Sequence, residues 1–99
     1  MDCCNNGNTP SIKFNCGERK YVWFKITSCI EQLFVITSAT WNLKKIDGQE
    51  IARGECELDG TDTLRVLLEP PAPGTYVLSV EYEIPPEIKK AQVYVYVTT

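Results

Sequence analysis

The chain contains no histidine. Histidine is the usual general base near neutral pH and the commonest metal ligand, so its absence excludes Ser-His and Cys-His nucleophile systems. A carboxylate pair stays chemically open for acid–base work, but no spacing in the sequence fixes such a pair in space. The expectation is a chain that is not an enzyme and uses no cofactor. Long apolar runs are also absent, which excludes a transmembrane helix. Basic stripes interleaved with aromatics are missing too. Lys and Arg number 10 against 13 Asp and Glu, for a net charge of −3. The pairs Arg19-Lys20, Lys44-Lys45 and Lys89-Lys90 each lie beside an expected turn. The phosphate attraction that drives nucleic-acid binding is therefore lacking, and an anionic membrane surface is disfavoured for the same reason. The expected partners are other protein subunits, self included, with no nucleic acid and no membrane.

Cysteine is present but in no metal or redox spacing. Cys3, Cys4, Cys16, Cys29 and Cys56 are odd in number and contain no C-x-x-C, so the zinc-ribbon and thioredoxin patterns do not apply. A metal site built on Cys3, Cys4 and Cys16 would need a fourth ligand. The start Met1-Asp2-Cys3-Cys4 has neither a basic nor an apolar leader region. The expectation is cytoplasmic synthesis without a signal peptide, with free thiols.

What is there is alternation. The 99 residues, 43% of them apolar, suit one domain with one core. Residues 1–10 are polar and rich in Asn and Gly and read as a flexible N-terminal arm; residues 11–99 form the domain. Ser11–Phe14 reads as a short strand, followed by a turn at Asn15-Cys16-Gly17-Glu18. From Tyr21 to Thr27, Val22, Phe24 and Ile26 share one face, with Tyr21, Trp23 and Lys25 on the other. Cys29–Ile36 is ambiguous between a helical turn and a loop. Ser38–Ile46 places Ala39, Trp41 and Leu43 together, with Trp41 expected to fill the gap between sheets. Asp47-Gly48 signals a hairpin. Glu50–Leu58 is the return strand, with Gly54 expected to mark a bulge. Asp59-Gly60 turns the chain again, and Thr63–Glu69 aligns Leu64, Val66 and Leu68. Pro70-Pro71-Ala72-Pro73-Gly74 is a rigid turn. Tyr76–Ile84 alternates most cleanly, Pro85-Pro86-Glu87 turns, and Ala91–Val97 closes the chain with its valines inward. About seven strands with turns every 8–12 residues or so indicate an all-β sandwich. No cysteine pair suits an inter-sheet disulfide, and Tyr76 stands where sandwich folds anchor a tyrosine hydroxyl to backbone.

These residues carry a resemblance. Gly17-Glu18, Ala39-Thr40-Trp41, Asp47-Gly48, Asp59-Gly60 and Gly74-Thr75-Tyr76 occur in an order similar to that of the small immunoglobulin-like modules of bacterial surface proteins and of phage tails and baseplates. The resemblance spans Ile12 to Val97. It implies an immunoglobulin-like β-sandwich of about seven antiparallel strands and a structural, non-enzymatic role. Without an export signal or tandem copies, it implies a prophage- or phage-encoded virion component, such as a head–tail or tail accessory protein. The alternative is a ligand- or carbohydrate-binding adhesion module of a surface protein.

Four aromatics are the candidate interaction residues. Alternation puts Tyr94 and Tyr96 on the outer face of the last strand and Tyr21 and Trp23 on the outer face of theirs. Rigid exposed aromatics are enriched at interface hot spots, though cross-strand ring pairs also stabilise sheets. In the carbohydrate alternative, Trp23 and Tyr21 form the stacking platform. The acidic turns at Asp47-Gly48-Gln49-Glu50 and Asp59-Gly60-Thr61-Asp62 offer oxygens to calcium but lack a full loop spacing. Turn chemistry alone accounts for them.

Overall fold

The computed structural model describes residues 10–26, 35–60 and 62–99. They form eight strands: β1 (Ser11–Asn15), β2 (Lys20–Lys25), β3 (Ser38–Lys45), β4 (Glu50–Glu55), β5 (Glu57–Asp59), β6 (Thr63–Leu68), β7 (Gly74–Ile84) and β8 (Glu87–Thr98). Two sheets result, one ordered β1-β8-β7-β3-β4 and the other β2-β6-β5. The fold is all-β, a sandwich-like body. Of the expected arm, residues 1–10, all but Pro10 lie outside the described residues, as do most of the ambiguous Cys29–Ile36 stretch and the cysteines Cys3, Cys4 and Cys29; the Pro10 carbonyl accepts the Tyr94 N–H.

The core lies between the two inner faces. From the larger sheet come Phe14, Ala39, Leu43, Tyr76, Leu78, Val80, Tyr82, Val93, Val95 and Val97. The smaller sheet supplies Val22, Phe24, Leu64, Val66 and Leu68. These are the rows that period-2 alternation selects, because successive side chains on a strand point to opposite faces.

The structure departs from expectation in five places. The first pair is not antiparallel: β1 runs parallel to β8, Ser11 opposite Tyr94 and Asn15 opposite Thr98. The strands number eight because Glu50–Leu58 is not one strand. It breaks at Cys56, where the chain leaves β4 in the larger sheet and enters β5 in the smaller. Apolar alternation cannot register that switch, since β5 is exposed throughout. Gly54 is not a bulge. The register shift falls at Leu43/Lys44 instead, and Gly54 is a seat: a Cβ there would stand 3.1 Å from Trp41 Nε1. Trp41 is accordingly only partly buried, packed on the core's margin rather than filling its centre. Finally, β8 begins at Glu87, not Ala91. Residues 87–90 pair fully with β7 but are exposed, so no hydrophobic signal marks them.

The turns behave as their residues require. Lys45 and Gln49 close the β3–β4 hairpin, with Gly48 at φ +98° donating its N–H to the Lys45 carbonyl. Asp47 Oδ1 accepts the Gln49 N–H at 3.0 Å. After the proline-rich segment, the Tyr76 hydroxyl donates to the Ala72 carbonyl at 2.7 Å. That bond ties the base of β7 to the crossing from β6.

Removing that hydroxyl tests its role. Tyr76→Phe keeps the buried ring and loses one hydrogen bond. The expected cost is about 1 kcal/mol, read as a lower urea midpoint with an unchanged denaturant slope.

Candidate functional site

The four candidate aromatics do not form one surface. Tyr94 and Tyr96 lie on the outer face of the five-stranded sheet, and Tyr21 and Trp23 on the outer face of the three-stranded sheet. The core separates the two pairs.

Tyr94 and Tyr96 stack on each other, centroids 6.3 Å apart and planes inclined 23°. Their strand is flanked on both sides. Tyr94 sits between Val77 and Ser11, and Tyr96 between Thr75 and Lys13. Tyr94 is half-buried in this row. Tyr96 is the more open of the two.

Tyr21 and Trp23 stand on β2, at the margin of their sheet. Tyr21 is 40% exposed and Trp23 53%. Their rings are 6.2 Å apart and inclined 52°. Strand pairing sets Trp23 opposite Arg65 and Tyr21 opposite Leu67. The Arg65 guanidinium lies over both rings, 4.8 Å from the Tyr21 centroid and 5.5 Å from that of Trp23. Glu57, opposite Arg65 on the other side, accepts a hydrogen bond from Arg65 Nη2 at 3.0 Å. Arg65 Nε is buried with no partner of its own. Leu67 extends the apolar surface and is 45% exposed. A cation over an aromatic face, held by a carboxylate, is fixed before any partner arrives.

Arg65, Leu67 and Glu57 were not among the sequence candidates. The signal was available for two of them. Once Leu64, Val66 and Leu68 face inward, Arg65 and Leu67 must face outward. Which strand they lie beside was not available, because the β2–β6 pairing is non-local.

Several of the acidic groups have partners of their own. A shallow groove of about 150 Å³ is lined by Ser38, Thr40, Glu81, Glu83 and Ile88 among others, well below the roughly 300–1,000 Å³ of ligand pockets. Glu83 accepts from Thr37 and Ser38, and Glu81 lies 3.8 Å from Lys90. In the two acidic turns, Asp47 holds the Gln49 N–H, and Asp62 Oδ1 accepts from the Thr63 hydroxyl. No group of three metal-ligating side chains occurs among the described residues. Glu18 is held below the usual carboxylate range, first by the Asn15 N–H and then by Lys20. Cys16 is exposed and Cys56 half-buried, both free. Burial pushes the Cys56 thiol up to about 11.

The sequence matches no protein-family profile and no curated protein. Solved structures do share the fold. An engineered protein superposes with a TM-score of 0.72 at 11% identity, over 95% of this chain and 19% of its own. A protein named for glycoside hydrolase activity, from Bacteroides vulgatus, gives 0.54 at 19% identity, over 88% of this chain and 16% of its own. A thermostable endoglucanase from Alicyclobacillus acidocaldarius gives 0.52 at 16% identity, over 86% and 13%. The chain thus spans less than a fifth of each of these proteins. The similarity is one of all-β fold and is not evidence of enzymatic activity.

The thiol chemistry is directly testable. With its pKa at about 11, native Cys56 should alkylate with iodoacetamide at pH 8 about a hundredfold more slowly than after unfolding, since only the thiolate attacks. Its native rate should climb as pH rises towards 11. Peptide mass spectrometry resolves Cys56 from the other cysteines. A native rate equal to the unfolded one would show that the sheet crossing does not shield this thiol.

Proposed function

We propose that the chain is a non-catalytic protein-interaction module of immunoglobulin-like topology. The strand order supports that fold assignment. Taken in chain order as A, B, C, C′, D, E, F and G, the strands give a G-F-C sheet extended by C′ and a B-E-D sheet, the partition of immunoglobulin domains. Trp41 stands on the C strand and the anchored Tyr76 opens the F strand, as that fold places them. Leu78, two residues further on, takes the position of the second disulfide cysteine. The first strand differs, lying beside G rather than B. The setting implied by the sequence resemblance, a virion structural component made in the cytoplasm, belongs to this proposal.

One observation carries the interaction reading: Arg65 held over Tyr21 and Trp23 by Glu57. Trp, Tyr and Arg are the residue types that dominate interface hot spots. Holding them rigid lowers the entropy lost on binding. The carbohydrate reading rests on the exposure of Trp23 and on the fold shared with parts of proteins named for glycan hydrolysis. Against it, the two rings are inclined 52° and share a guanidinium across their faces, so they offer no common flat surface to a sugar ring.

A displayed random-peptide library distinguishes these. Selected peptides should lose about tenfold or more in affinity for Trp23→Ala and keep it for the double variant Tyr94→Ser/Tyr96→Ser. Peptides that lose affinity only for the tyrosine variant would move the surface to the other sheet. Quenching of Trp23 fluorescence by cello-oligosaccharides, without peptide binding, would favour the carbohydrate reading.

A further inference from the structure

The platform borders an open sheet edge, and the edges of the two sheets are not equally guarded. Strand β5 has three residues. Strand β4 carries the bulge and the charges of Arg53 and Glu55. On β1, the Lys13 carbonyl is capped by Lys20 Nζ at 2.8 Å. Strand β2 is six residues long, pairs with β6 in unbroken register and shows no bulge. Among the described residues, no strand pairs with its far side. The charges of β2, Lys20 and Lys25, stand at its two ends, and a regular edge with free backbone groups between them is a template for another strand.

The backbone groups available there can be named. Ile26 N–H donates to the Asp62 carbonyl, one step beyond the Lys25–Thr63 pair. Antiparallel pairs alternate between bonded and non-bonded. Lys20, Val22 and Phe24 therefore bond to β6, while Tyr21, Trp23 and Lys25 direct their N–H and C=O groups to the open edge. These three are also the residues whose side chains form or flank the platform.

We infer that β2 pairs antiparallel with β2 of a second copy, about a two-fold axis at Trp23. This deepens the interaction reading above and rests on it. The strand is complementary to itself in this register on four counts. A two-fold pairing must set outward-bonding residues against each other, so odd numbers face odd numbers. Centring on Trp23 sets Tyr21 against Lys25 of the second copy and Trp23 against its counterpart, and uses every outward group in the strand. It sets Val22 against Phe24 on the inner side, so both cores extend across the junction. It also keeps like charges apart: centring on Val22 would oppose Arg19 and Lys25, and like charges directly opposite are destabilising. The product is a six-stranded sheet, β5-β6-β2 joined to its copy, with an isologous interface. The two Arg65–Trp23 units then meet across the axis on one outer face.

The test uses the intact chain with reductant present. Light scattering from about 1 µM to about 1 mM, the span of weak to moderate self-association, should show mass rising to that of a dimer. Residue-resolved amide exchange over the same range should slow about tenfold at Tyr21, Trp23 and Lys25, with Val22 and Phe24 protected throughout. A monomer at every concentration overturns the inference. So does a dimer whose Tyr21, Trp23 and Lys25 amides exchange as in the monomer, since the copies then meet face to face. Neither result touches the peptide-binding test of the platform, so the two readings fail separately. Lys25→Pro gives an independent check: it removes one outward N–H, touches no bond to β6 and should abolish the dimer while circular dichroism stays native. A dimer that persists in Lys25→Pro at wild-type strength would also overturn the pairing.

Discussion

Strand β7 must be satisfied from both sides, and the rest of the fold is arranged to do so. Its eleven residues carry one backbone donor and one acceptor each, and their inner row is buried along its length: Tyr76, Leu78, Val80 and Tyr82. Backbone groups so placed cannot turn to water and have to be paired. Strand β3 pairs with eight residues on one side and β8 with the full length on the other. The β8 hairpin follows from the chain through Pro85-Pro86. The β3 partner arrives from far away in sequence and brings β4 with it. The second sheet then closes over the apolar row that this assembly leaves open. The Tyr76 hydroxyl on the Ala72 carbonyl fixes where β7 starts, and hence which residues of β3 and β8 it meets.

The legible part of the sequence is the part written by one buried face. Alternation groups Val22 with Phe24, Leu64 with Val66 and Leu68, Tyr76 with Leu78, Val80 and Tyr82, and Val93 with Val95 and Val97, and each group is a single buried row, because a slip of one residue would expose an entire row. Asp47-Gly48 and the tyrosine anchor were legible for a different reason: each is local chemistry, decided within four residues. What was not legible lacks both signals. The crossing at Cys56 joins a half-buried strand to one that is exposed throughout. Residues 87–90 are exposed on both sides of the strand, with Ile88 their one apolar residue, so no apolar row marks them. Gly54 reads as a bulge in the sequence because glycine in a strand has two explanations. The second, a close approach by another side chain, needs the cross-strand partner to be known.

The same limit governed the candidate surface. Outward aromatics could be counted from alternation, but their grouping depends on sheet membership, which is a long-range property. Four aromatics with one expected role therefore divide into two pairs with different surroundings. Tyr94 and Tyr96 lie in an interior strand, with neighbours on either side and each other for company. Tyr21 and Trp23 lie on a margin, beside an arginine that no sequence motif connects to them.

The arginine explains why such a surface can remain exposed without collapsing onto itself. Two large rings on alternate residues of a strand would leave their faces to water. A guanidinium laid over them covers apolar area while keeping its own charge near solvent. Glu57 then limits the positions it can take. The cost of organising the platform is thus met within the β2-β6-β5 sheet, and it depends on that sheet's register: shift β6 by two residues and Arg65 leaves Trp23. The backbone edge of β2 is held by the same register, since pairing with β6 decides which of its amides face outward. Platform and edge are two consequences of one strand pairing, with the side chains of Tyr21 and Trp23 displayed on the face and their peptide groups at the margin.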